Sequence, residues 1–437
     1  MLFLVLSSTE MPTLKRLAKT KSFWILLGLV ILLCLFYSEA KKDRREVAKL
    51  TSGEVELCIT CHQEVVPEKV HDKKVVGCSS CHLGNPYTLD LKEAHKNIVK
   101  NPGDLRYVNL TCGQPGCHLT EISKVKNSLM ATNHGMIKRV VEVFEEKEVL
   151  SLYPKLSVSQ LYHQEVYHKT KNSLGLDYYR KLCGSCHLWL EKGKLPYFLK
   201  EKGGGCTACH SVKEKDETPN SSRKVHPKLV RYPPMENCVR CHNRSGRIGF
   251  TYQGLYENEQ GGIGDEVWVD GRWLDRVSPD IHFQKGLSCI DCHTKEEVMG
   301  DGNFYYSLHE ALEIECQTCH GGDGTTKKGR KLKNFYKKGK QAYLESKGSE
   351  KRVLIKKPVK ACSLSYHKRL TCVSCHAKHM PDCYGCHIKY DPRDTHLDKI
   401  LAKETKGLWI EHESYRRLAL PTLAVEDNQR VVTVTPG

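Results

Sequence analysis

CVSCHAKHMPDCYGCH, residues 372–387, places four cysteines and three histidines in sixteen positions. Two chemistries use thiols and imidazoles at this density. One is zinc held by four such ligands; the other is a haem bonded through its vinyl groups to a Cys-x-x-Cys pair, with the next histidine on the iron. Zinc is indifferent to the residue after the second cysteine, whereas haem attachment needs histidine there. That residue decides the fold as well as the chemistry.

The spacing recurs as CITCH at 58, CSSCH at 78, CGSCH at 183, CTACH at 206, CVRCH at 238, CIDCH at 289, CQTCH at 316, CVSCH at 372 and CYGCH at 383, and all nine pairs are followed by histidine. With 22 histidines in 437 residues, composition alone does not produce nine in nine. Zinc leaves the pattern unexplained and haem explains it. A tenth, wider site is Cys112-GQPG-Cys117-His118, where the Gly-Pro-Gly content lets the loop bulge. The attachment cysteines read in this way are Cys58, Cys61, Cys78, Cys81, Cys112, Cys117, Cys183, Cys186, Cys206, Cys209, Cys238, Cys241, Cys289, Cys292, Cys316, Cys319, Cys372, Cys375, Cys383 and Cys386. Cys34 and Cys362 fall outside the pattern and are expected as buried thiols.

The histidines that follow the pairs are His62, His82, His118, His187, His210, His242, His293, His320, His376 and His387. Twelve more remain, enough for a second imidazole on every iron with two to spare; His71, His95, His134, His168, His226, His282, His309, His367, His379 and His396 are the candidates for that role, and His163 and His412 the remainder. His-x6-CxxCH occurs three times, at His71, His282 and His309, as if each unit supplied one haem and a sixth ligand for its neighbour. His379, three residues after His376, has too short a tether to reach the opposite face of the same porphyrin and is expected to serve another. The seven-residue step from His376 to Cys383 spans at most roughly 25 Å, so those two centres are neighbours.

On these motifs the chain resembles the multihaem c-type cytochromes of anaerobic respiratory electron transfer, as in metal-reducing bacteria; NSLMATNHG at 127 and CVRCHNRSGRIGFTYQGLY at 238 add to the likeness. The resemblance implies about ten covalently attached haem c groups, attachment outside the cytoplasm, and electron transfer between a membrane quinol-oxidising complex and periplasmic or outer-membrane cytochromes. Two imidazoles on each iron leave no substrate position and favour low potentials. The alternatives are a nitrite, hydroxylamine or tetrathionate type reductase with one open iron, at the widened Cys112 site or the 206 site, and a membrane-anchored quinol dehydrogenase.

Composition fits a chain wrapped around cofactors. It has nine Phe, five Trp and a net charge of +17, with a mean hydropathy of −0.49. From Leu57 onward about 38 residues per proposed haem are too few for ordinary cores, so porphyrin would supply much of the apolar interior. Haem propionates bring the net charge to about +7 with ferric and about −3 with reduced iron, which removes the usual argument for nucleic acid. The segment 325–357 still carries thirteen Lys or Arg against two Glu, a solvated insertion or a docking surface.

The expected fold is mainly α with extensive loops, a haem stack, one small β-hairpin and an N-terminal membrane helix. The apolar run 23–37 follows four basic residues and reads as an inner-membrane anchor with the body facing the periplasm, or else as a cleaved export signal; Met11 reads as the true start. The expected divisions are a cytoplasmic N-terminus over 1–22, the anchor or signal over 23–40, a three-haem region with a helical linker over 41–180, a five-haem region with a hairpin insertion over 181–330, and a basic insertion, two-haem region and tail over 331–437. Ile122, Val125 and Leu129, then Ile137, Val140, Val141 and Phe144, recur at helical spacing and read as core. Val267 to Leu274 reads as a hairpin around Asp270-Gly271, and LWIEHESYRRLALPTLAVEDNQ, from 408, as a short helix and tail.

Overall fold

A computed structural model describes residues 24–25, 27–34, 47–212, 226–243, 248–258, 262–377, 387–412, 422–426 and 428–434. The chain divides into two compact units, the first comprising 1–66, 71–79 and 84–96, the second 67–70, 80–83 and 97–437.

In the first unit the short helix Leu57–Cys61 carries the first motif. Just past its C-terminus the Lys73 ammonium donates to the carbonyl of the C-cap His62 at 3.3 Å and to those of Gln63 and Val65, both at 2.6 Å. A cation at a helix C-terminus satisfies orphan acceptors and complements the dipole. The buried Glu56 accepts from the Ser79 hydroxyl at 2.7 Å. Asp90 caps Leu91–Ala94, and His95 follows directly.

The second unit begins with helices cut into short lengths by caps. Ser128 caps Leu129–Thr132 through the Ala131 N–H, Asn133 turns left-handed at φ 46°, and His134–Val143 starts at once. Their apolar faces form two clusters, one around Leu105, Val108, Ile122 and Val125, the other around Ile137, Val141, Leu156 and Leu176. Helical patterning thus placed Ile122, Val125, Ile137 and Val141 on inward faces.

The expectation of a mainly α chain with a single hairpin is corrected. The described residues are about 36% helical and 16% strand, and the strands form five small antiparallel sheets. The hairpin at 267 exists, with Val267 opposite Trp273, but Leu255–Glu257 pairs on the other side of Trp273–Arg276 to make three strands. The basic insertion is a three-stranded sheet of Phe335–Lys338, Gln341–Glu345 and Arg352–Ile355. Residues 408–412, read as helix, belong instead to the strand Lys403–His412, paired with His387–Asp398. These segments mix charge with isolated aromatic and β-branched residues, a pattern that becomes strand only when a partner supplies the ladder.

The membrane helix is likewise corrected: among the described residues no helix is long and apolar enough to cross a membrane. Residues 24–25 and 27–34 are helical. Cys34 and Cys362 are exposed, contrary to the expectation of buried thiols.

The long hairpin is pinned by buried charge. Arg180 donates to Asp398 at 2.9 Å and to Asp177 at 3.4 Å; Lys181 donates to Asp177 at 2.9 Å and to the Gly407 carbonyl at 2.7 Å. The Trp409 indole N–H completes Asp177 at 2.8 Å. Two cations meet two carboxylates, so the desolvated charges cancel in place.

Elsewhere Glu121 accepts from Thr120 at 2.7 Å and Lys295 at 3.0 Å, which holds its carboxyl at about 2, below the ordinary 4.5. A depressed folded value contributes stability that is complete above the ordinary value and lost as pH falls through the folded one. Glu121→Gln should therefore be less stable than the parent at neutral pH and converge with it between 4.5 and about 2. Denaturant midpoints at stepped pH measure this, and a gap independent of pH would refute it.

Candidate functional site

Five of the ten cysteine–histidine motifs lie on a single helical turn: Leu57–Cys61, Cys206–His210, Cys289–Cys292, Cys316–Cys319 and Cys372–His376. One turn brings i, i+3 and i+4 to one side, so two thiols and an imidazole share a face. The turns close by the histidine N–H donating to the first cysteine carbonyl, at 2.9 Å for His62, His242, His293 and His320. The wide motif closes in the same way, with the His118 N–H on the Cys112 carbonyl at 2.9 Å. Its extra residues are taken up by a loop in which Gly116 sits at φ 83°, a conformation that glycine adopts freely.

The histidines are oriented by their Nδ1 atoms. His82, His95, His134 and His210 each place Nδ1 at 2.7 Å from a backbone carbonyl, of Val99, Leu91, Leu156 and Val230; His320 and His367 do so at 2.8 Å with Lys356 and Ala361. A carbonyl only accepts, so Nδ1 carries the proton and Nε2 is left with its lone pair, the form that binds a metal. Two rings have carboxylate partners instead, His293 on Glu297 at 2.6 Å and His282 on Asp280 at 2.9 Å. Burial is deepest at His134, whose Nε2 is buried without a hydrogen-bond partner and which lies between Phe304 and Tyr306, each 5.0 Å away. Gly135 beside it leaves room for the Tyr306 carbonyl, which a Cβ would strike.

Imidazoles from separate segments meet in pairs. His62 faces His95 at a ring-centroid distance of 6.1 Å, His82 faces His226 at 6.2 Å and His282 faces His320 at 6.1 Å, with ring planes 83°, 84° and 67° apart. Other ring contacts in the protein run from 4.6 Å for Tyr390 and Trp409 to 6.1 Å for Tyr162 and His187. Two nitrogens each about 2 Å from one metal stand about 4 Å apart, and half a ring beyond each sets the centroids about 6 Å apart. The three pairs match that separation and lie equally within the range of ordinary edge-on ring packing.

The expectation of about ten haem c groups is corrected. Among the described residues no group of three or more His, Cys, Asp or Glu side chains is gathered that could hold a metal ion. His379, Cys383 and Cys386 lie outside the described residues, as does the side chain of His387. What the chain assembles is two imidazoles at a time, a donor set that holds a metal only when the other coordination positions are filled from elsewhere.

The other expected ligands lie on their own segments. His396 accepts at Nδ1 from the Trp409 N–H at 3.4 Å. His187 is buried with Nε2 at 3.0 Å from the Gly184 carbonyl, and its ring neighbour at 6.1 Å is Tyr162. His71 ends the turn Lys69–His71, His118 precedes the helix Leu119–Asn127, His168 lies on Gln164–Thr170, His309 on Leu308–Ala311 and His376 ends Cys372–His376. Thiols of separate motifs lie near enough to shift one another's ionisation: Cys186 with Cys241, Cys238 with Cys289, and Cys316 with Cys372. The Cys241 contact and the Lys202 ammonium, 3.3 Å away, drive the Cys186 thiol well below its ordinary value.

Sequence reasoning missed the residues that hold these groups from behind. Asn133 donates to the Tyr179 hydroxyl at 2.9 Å and the Cys186 carbonyl at 3.2 Å. Arg272 joins Asp270, Glu257 and Asn243, fixing the residue after His242. Nothing in the local pattern marks either as more than an ordinary polar residue. No protein family, curated protein or solved structure matches the chain.

Proposed function

We propose that the protein is an electron carrier of the multihaem c-type cytochrome class, working on the periplasmic side of the inner membrane between a quinol-oxidising partner and a periplasmic or outer-membrane acceptor. The observation that carries this reading is the set of imidazole pairs His62 with His95, His82 with His226 and His282 with His320, at 6.1 to 6.2 Å. Each pair includes a histidine that follows a Cys-x-x-Cys. A porphyrin iron brings four nitrogens of its own and asks the chain for two axial ligands, which is the donor set these pairs offer; it supplies one-electron chemistry. The chain's own part is to hold the two rings, fix their tautomers through Nδ1 and keep neighbouring motifs in contact.

A pyridine haemochrome assay and the intact mass of protein matured in a host with haem-attachment machinery test this. The reading expects three or more covalently bound haems, and a mass equal to the bare polypeptide would end it. The reductase alternative has one observation in its favour, Tyr162 rather than a second imidazole opposite His187. Low-temperature EPR of the oxidised protein separates the two. An all low-spin spectrum is expected of the carrier, and a stoichiometric high-spin signal of the reductase.

A further inference from the structure

The sheet Phe335–Lys338, Gln341–Glu345 and Arg352–Ile355 has two unlike faces. Ala342 and Leu344 point inward and are buried. Directly after the second strand, Ser346 donates to the Asp291 carboxylate at 2.8 Å and the Lys347 N–H does so at 2.7 Å, and Asp291 lies between the cysteines of the 289 motif. Directly after the third strand, the Lys356 carbonyl accepts from Nδ1 of His320 at 2.8 Å. The sheet is thus tied to two attachment motifs and to the His282 and His320 pair.

The outward face combines charge with two half-buried tyrosines. Tyr336 and Tyr343, opposite each other in the ladder, stack at 5.6 Å and 17°. Arg352 lies over Tyr336 at 5.4 Å, and Leu354 is 50% exposed. Lys338 shares this face and Lys340 is in the adjoining turn; neither they nor Arg352 forms an ion pair among the described residues. Glu345 is opposite Arg352 in the register and leaves the face net positive. Tyrosine and arginine around an exposed aliphatic residue are the composition of interface centres, and the uncompensated charge selects a partner of opposite sign.

We propose that this face docks an acidic redox protein, which is thereby seated next to the His282 and His320 pair. The inference rests on the electron-carrier reading for its purpose. An anionic lipid surface is the poorer fit, because the tyrosines lie flat against each other and only Leu354 projects as an aliphatic anchor.

A plant-type [2Fe–2S] ferredoxin, small and strongly acidic, is the probe, with binding to the full chain followed by calorimetry at low and high salt. The parent should bind at low salt and lose affinity steeply as salt rises. The triple variant K338E/K340E/R352E should bind about tenfold or more weakly at low salt, and the gap should close at high salt. The double variant K338Q/K340Q, which leaves the tyrosine stack and Arg352 in place, should weaken binding less but in the same sense, at an unchanged thermal midpoint. Equal binding by parent and variants overturns the proposal. So does absence of ferredoxin binding by the parent, including the case in which it binds phosphatidylglycerol vesicles instead. Calorimetry needs no electron transfer, so this result stands apart from the haemochrome and mass measurements on which the electron-carrier reading is judged.

Discussion

Asp398→Ala is expected to destabilise the second unit by about 3–5 kcal/mol, the cost typical of removing one partner from a buried ion pair. The Asp398 side chain is 0% exposed and that of Arg180 4%. Beyond the arginine, Asp398 accepts from the N–H groups of Ile400 and Leu401 at 3.0 and 2.9 Å, so it also holds the turn of the long hairpin. Without it Arg180 retains Asp177 at 3.4 Å, but Asp177 is already shared with Lys181 and Trp409. One carboxylate then faces two buried cations. Asp398→Asn keeps the shape and one acceptor oxygen and should cost less, which separates charge from packing. Urea denaturation with far-UV detection measures the difference, and a loss below about 1 kcal/mol for the alanine variant would show that the charges are not desolvated as described. The effect should extend to the 183 motif, because the π-helical turn Tyr179–Cys183 contains Arg180 and Lys181 and ends on its first cysteine.

On the electron-carrier reading proposed above, His226→Met should move one redox transition upward by on the order of 0.1 V or more, within the roughly 0.8 V that axial-ligand identity commands. His226 faces His82 at 6.2 Å, and the His82 ring is fixed by Val99 at 2.7 Å. A thioether is a weaker donor to ferric iron than an imidazole, so exchange at one member of a pair stabilises the reduced state. The remaining pairs keep both imidazoles, so a spectroelectrochemical titration should show one component displaced and the rest in place. An unchanged titration curve would remove His226 from the redox chemistry and leave its pairing with His82 a matter of packing.

The two experiments probe different levels of the same design. The ion network is a property of the chain alone and is read in stability, whereas the imidazole pair is read in potential. A polypeptide that passed the first and failed the second would have the fold without the proposed function.

The shared face of each Cys-x-x-Cys-His turn was legible because its geometry is local. In Cys-x-x-Cys-His a single helical turn brings the three groups to one side, and no distant residue is needed to arrange them. The apolar positions Ile122, Val125, Ile137 and Val141 were legible for the same reason, since a helical face is written at intervals of three and four. Apart from the hairpin at 267, the strands were not. Lys403–His412 carries Lys, Glu, Thr, Trp and His with no clean alternation, and it is a strand because His387–Asp398 supplies its hydrogen bonds and the buried Asp398 holds the turn.

Pairing shows the division most clearly. The step of seven residues between His282 and Cys289 suggests a repeat, but which imidazole stands opposite His282 follows only from the folded path, which brings up His320. Likewise His82 and His226 belong to distant stretches that no periodicity connects. Sequence by itself determined the residue types and the faces they share within one turn, because neighbouring dihedrals and side-chain directions set those. Tertiary structure alone decided which rings face each other and which charges are buried together, because those distances depend on loop paths and packing summed over the chain.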